Sequence, residues 1–200
     1  MKIIGRMQHM AYDNATINER LESWLSGMEQ FDLPEWDALP QLELYMDQII
    51  ILLKQYLAPL HRGEENKAIT ASIINNYVRM KVMPAPVKKK YSRVHLASLI
   101  IICSLKRSLS ISCIQRILPP DHSEESVRQL YNSFVQQYRT VRTSFVQQAQ
   151  DGSSPLLVGD PAGILTSCAI ISNLATGLSE FLLQEETEEQ SEKKKKNSAE

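Results

Sequence analysis

A mainly α-helical fold is predicted from three features of the 200-residue sequence. Apolar residues recur at intervals of three and four through most of the chain, the period of an amphipathic helix. Prolines at positions 34, 40, 119 and 120 punctuate the connections between these runs. The one stretch with extended character is short, from Val82 to Tyr91, where Pro84 and Pro86 push the residues before them out of the helical region.

Taken in order, a loose N-terminal arm is followed by Thr16-Ile-Asn-Glu19, whose capping-box spacing opens a helix carrying Leu21, Trp24, Leu25, Met28 and Phe31. After Pro34 and Pro40, Leu42, Tyr45, Met46, Ile49, Leu53, Tyr56 and Leu57 define a second amphipathic helix, opposite Glu43, Asp47 and Lys54. A polar loop occupies residues 61–66, and Thr70 is the N-cap of a short helix that ends near Met80. At about 100° per residue, Ile73, Ile74, Tyr77 and Val78 fall on one side of this helix, and Ser72, Asn75, Asn76 and Arg79 on the other. Two extended pieces follow, Val82-Met83 and residues 87–91, with their turn expected at Pro84-Ala85-Pro86. Ser92 caps a helix from Val94 to Leu105 that is apolar all round, as a buried central helix is. Ser110 opens another, with Ile111, Ile114 and Leu118 inward, and Pro119-Pro120 stops it.

Residues 121–150 then form a long amphipathic helix. Its stripe of Val127, Leu130, Phe134, Tyr138, Val141 and Phe145 is suited to a second subunit or to its own domain, and dimerisation is the expected use. Residues 151–185 contain a linker-like break and an apolar helix, whose Ser, Thr and Asn content argues that it falls short of a membrane span. The charged, low-complexity residues 186–200 are expected to be disordered. The domain organisation is therefore an arm and helix over 1–33, a core domain over 34–120, the long helix, the apolar helix and the tail.

Charge is partitioned along the chain although its formal total is only −1. Between Lys67 and Leu118 there are ten Lys or Arg and no Asp or Glu, with acidic segments on both sides. A local basic patch on an otherwise balanced protein points to a polyanionic partner at one face. Three Cys without a CxxC argue against a disulfide framework or a structural zinc site, and no apolar leader precedes the first helix, so a cytoplasmic location is expected. HExxH, GxSxG and the phosphate-binding GxxxxGK[ST] are all absent, and the four His share no ligand spacing. Neither an enzyme nor a cofactor is expected.

The order helix, polar loop, short helix, hairpin, helix is that of a winged helix-turn-helix. There, polar side chains of one helix meet base edges in the major groove and basic residues of the wing hold phosphates. Ser72, Asn75, Asn76 and Arg79 suit the first task, since Asn pairs bidentately with adenine and Arg with guanine. Lys88, Lys89, Lys90 and Arg93 suit the second, and the basic first turn after Ser92 opposes the helix dipole in a way a phosphate would offset.

The stretch from Thr70 to Leu118 resembles the DNA-binding core of MerR-type regulators. Tyr77 stands at the second tyrosine of that family's Leu-Arg-Tyr-Tyr-Glu, Pro84 at the proline of its Gly-Leu-Ile-x-Pro, and Tyr91-Ser92 at its Tyr-Ser. Asn75, Val78 and Lys81 replace its arginine, glutamate and glycine. The wording ELYMDQ, INNYV and KKKYS is more similar to an uncharacterised bacterial family, domain of unknown function 1836, over roughly residues 34 to 145. The MerR-like resemblance implies a winged-helix domain with a short β-hairpin wing and long C-terminal helices, a homodimer on double-stranded DNA, and phosphate contacts from Tyr77 and the basic wing; Lys81 and Tyr91 are further candidate DNA-binding residues of the same segment. Transcriptional regulation is the expected function, without membrane association. The alternative is a non-catalytic interaction module that offers the basic face to an acidic protein.

Overall fold

The computed structural model describes residues 14–60, 69–154, 156–157 and 161–197; the expected arm at 1–13 and polar loop at 61–66 lie outside them. Among the described residues seven α-helices follow one another: α1 (Asn14–Gln30), α2 (Met46–Tyr56), α3 (Ala71–Arg79), α4 (Arg93–Leu105), α5 (Ile111–Ile117), α6 (Glu124–Gln150) and α7 (Pro161–Asn197). The mainly helical expectation holds.

The expected hairpin takes a different form. Among the described residues no strand is present, and the extended segment makes two isolated antiparallel bridges, Leu44 with Tyr91 and Val87 with Lys90. Residues 84 and 86 are prolines and cannot donate to a ladder, so pairing starts only after them and the tight turn falls at Lys88-Lys89 rather than at Pro84-Ala85-Pro86. Leu44 and Tyr91 exchange both backbone hydrogen bonds at 2.8 Å, which holds Leu44 out of the helix expected to begin at Leu42. Accordingly α2 starts at Met46, and the Tyr45 N–H donates to Gln48 Oε1 at 2.8 Å.

The core is centred on α4, whose Leu96, Leu99, Ile100, Ile101 and Ile102 are fully buried between α2, α5 and α6. Each such side chain contributes about 1.5–3 kcal/mol of burial. On α6, Val127, Tyr131 and Val135 face the same core, and the Tyr131 hydroxyl donates to the Pro34 carbonyl at 2.8 Å.

The stripe expected to dimerise is occupied within the chain. Val127 is buried, Leu130 and Phe134 pack on the core, and Tyr138 and Phe145 meet Phe31 and Trp24 edge to face at 5.9 and 5.8 Å. Only Val141 stands largely clear, 63% exposed. The reason is α1, which lies along α6 and covers the face a second subunit would have used. Arg142 Nη1 donates to the Met28 and Glu29 carbonyls at 2.8 and 2.9 Å, giving partners to the end of α1. Arg139 reaches Asp32 and Glu35, both at 2.7 Å.

Two expectations about the C-terminal region change. Helix α7 continues through the charged tail to Asn197, where Glu, Gln and Lys are strong helix formers. By length and composition, Gly163–Leu183 is sufficient to cross a membrane, with mean hydropathy 1.3 and none of the window buried.

Candidate functional site

Helix α3 is amphipathic, and its two faces have separate uses. Thr70 Oγ1 accepts from the Ile73 N–H at 3.4 Å to start it, and Ile74 and Tyr77 then anchor it in the core. The outer face of Ser72, Asn75, Asn76 and Arg79, with Ile73, lines an open depression of about 530 Å³. Arg79 Nη2 donates to Asn76 Oδ1 at 2.6 Å, and Asn76 Nδ2 donates to Met80 Sδ at 3.4 Å. Asn76 is thus tied to both Arg79 and Met80, while Ser72 and Asn75 stand exposed beside them.

The end of α3 explains the departure at Lys81. The Val82 N–H donates to the Tyr77 carbonyl and the Lys81 N–H to the Val78 carbonyl, both at 3.0 Å, which is the Schellman pattern of helix termination. That pattern needs a left-handed residue just past the cap, usually glycine, and Lys81 takes it with φ of 57°. Gln115 Nε2, from α5, donates to the Lys81 carbonyl at 3.3 Å and braces the corner.

A second strained element lies seven residues on. Lys88 and Lys89 have φ of 50° and 64°, and the Lys90 N–H closes the turn on the Val87 carbonyl at 2.9 Å. Positive φ at both central residues is the type I′ pattern, normally filled by Asn-Gly. Among the described non-glycine residues with positive φ, three of four are lysines of the acid-free segment, the other being His122. Left-handed backbone costs about 1–2 kcal/mol per non-glycine residue, and such strain concentrates at functional sites.

Not every expected contact residue joins this surface. Tyr77 is buried, its phenol pushed up to about 12 by desolvation and by the neighbouring Cys103, and Tyr91 is buried with a raised pKa for the same first reason. Both belong to the core, because their rings supply the apolar area that seats α3 and the 87–91 turn. Arg93 lies over the Trp36 ring at 5.4 Å, with Nε and Nη2 out of solvent, so it braces the start of α4, and its partly exposed side chain lines a separate open depression with Gln41 and Glu124. Lys90 is intermediate, 3.6 Å from Glu43 and 5.9 Å from the centre of the Tyr45 ring. Ser72, Asn75, Asn76, Arg79, Lys81, Lys88 and Lys89 remain. Gln115 escaped sequence reading, since an isolated glutamine on a short helix carries no signal of its own.

His95 stands behind the site. Its Nδ1 accepts from the Ser92 N–H at 3.0 Å, completing a capping box in which histidine takes the place of Glu or Gln. Burial lowers its pKa, opposed by the Ala85 and Pro84 carbonyls beside the ring. His95 Nδ1 is thus committed to the cap of α4, while Nε2 is buried without a hydrogen-bond partner. Among the described residues no group of His, Cys, Asp and Glu is arranged to hold a metal ion.

Residues 34–134 match the model of one protein family, described as a domain of unknown function (DUF1836). No curated protein and no solved structure matches the chain.

Proposed function

The chain belongs to the DUF1836 family, a membership that carries no activity with it, and from the geometry of the site we propose that the protein binds duplex DNA and acts as a transcriptional regulator. The observation that carries this reading is the outer face of α3, where Asn75 stands exposed beside a hydrogen-bonded Asn76–Arg79 pair, in a segment without a single acid. Asparagine and arginine are the side chains that pair bidentately with adenine and guanine in the major groove. In this reading α2 and α3 are the helix-turn-helix pair, α3 enters the groove, and the Val87–Lys90 turn is a minimal wing.

Lys81, Lys88 and Lys89 then hold phosphates on either side of the reading helix. The MerR-like resemblance supports the same assignment, because Lys81 adopts the backbone conformation that the glycine of those regulators is suited to. Selecting bound duplexes from a random library tests the proposal. Enrichment of a defined site by the full chain is expected, with Asn76→Ala or Arg79→Ala relaxing one base position by about 1–3 kcal/mol. No mobility shift of random duplex at micromolar protein and low salt would contradict it and transfer the basic face to an acidic protein partner.

A further inference from the structure

Helix α7 is attached to the rest of the chain by its polar side. Thr176 Oγ1 donates to the Ser108 carbonyl at 3.2 Å, and Ser179, close to Thr176 on the helix surface, is half-buried. At about 100° per residue, Ser172, Asn173, Thr176, Ser179 and Glu180 share this half of the helix. The other half carries Ile170, Ile171, Leu174, Leu178, Phe181 and Leu182, all of them exposed, and Ser167 is the one polar residue among them. Leu165, 53% exposed, and Leu183 fall on the Thr176 half, so the outward apolar face is continuous only from Ile170 to Leu182.

We propose that this face is the contact between two copies of the chain, packed α7 against α7. Ile171, Leu174, Leu178 and Phe181 follow the 3-4-3 spacing of a helix-pair seam. A surface so uniformly apolar and free of charge is complementary to itself, as a two-fold contact requires. Fully covered, these six side chains, 42–67% exposed, would remove on the order of 600 Å² per copy, an upper limit that for two copies meets the roughly 1,200 Å² at which specific interfaces begin. The stripe on α6, which would otherwise compete for this role, is already covered by α1.

A lipid surface fits the helix less well. Interfacial helices carry Lys or Arg on the polar face, and Gly163–Leu183 has neither. Crossing a bilayer would place Asn173 at the middle of the hydrocarbon and Glu180 within one turn of its edge, and polar side chains at such depth are costly.

The pairing goes beyond DNA binding and is measured without DNA. Analytical ultracentrifugation of the full chain at micromolar concentration is expected to return a two-chain mass. Leu174→Glu/Leu178→Glu is expected to raise the dissociation constant by more than about 100-fold, through like charges facing across the seam. The thermal midpoint of its α1–α6 body should not move, because residues 174 and 178 are 67% and 59% exposed in their own chain. Asn173→Glu, on the other half of the helix, should keep the two-chain mass. A one-chain wild type, a two-chain Leu174→Glu/Leu178→Glu variant, dissociation by Asn173→Glu, or a wild-type monomer that partitions onto phosphatidylcholine vesicles would each overturn the proposal.

Discussion

At position 81 the backbone demands a left-handed residue and the sequence supplies lysine. Relieving that strain by Lys81→Gly is expected to stabilise the fold by about 1 kcal/mol, read as a higher urea midpoint at unchanged m-value. The same change removes a charge, so duplex affinity should fall even as stability rises; a destabilised variant would refute the strain. His95 yields a pH prediction of determinate sign. Burial holds its folded pKa below the ordinary 6.5, so its contribution is complete above 6.5 and declines as pH falls through the folded pKa, where the unfolded chain takes up the proton first. His95→Gln keeps a capping acceptor and should flatten the stability profile below pH 6.5, whereas an unchanged slope there would assign the dependence to other groups. Side-chain type and spacing made the α3 face legible in advance. The three left-handed lysines were hidden, since nothing in a Lys-Lys pair announces positive φ.

Among the elements, periodicity identified the apolar stripe of α6 correctly but not what covers it. A stripe of Val127, Leu130, Phe134, Tyr138 and Phe145 is equally good against a second subunit or against α1, and only the packing of Trp24 and Phe31 decides. Proline was similarly ambiguous: Pro84 and Pro86 marked a break in helix, yet the tight turn formed two residues later, where N–H donors are available. The Arg142 link between α6 and α1 can be tested alone. Arg142→Met keeps the apolar stem and removes the donors to the Met28 and Glu29 carbonyls, with an expected loss of about 1–3 kcal/mol. Amide exchange in α1 should accelerate while duplex affinity stays at the wild-type value. Unchanged α1 protection would show that aromatic packing alone holds the helix.

For the whole molecule, charge partition is the property that turns a helical domain into a candidate regulator. Net charge is near zero, yet the segment from Lys67 to Leu118 is wholly basic, so attraction to a polyanion is confined to one part of the chain. Helix α7 adds an outward apolar face at the opposite extreme of chemistry, and pairing through it would present two α3 helices to one duplex. The central claim is that phosphate is the partner of the strained lysines, and the salt dependence of duplex binding measures it most directly. Lys88→Asn/Lys89→Gly supplies the residues a type I′ turn prefers, so the turn is retained while two charges are lost. Fluorescence anisotropy on one labelled duplex should show log K falling linearly with log salt for the wild type, and a slope shallower by about 1.8 for this variant. A wild type with no binding at low salt, or equal slopes for the two proteins, would contradict the account.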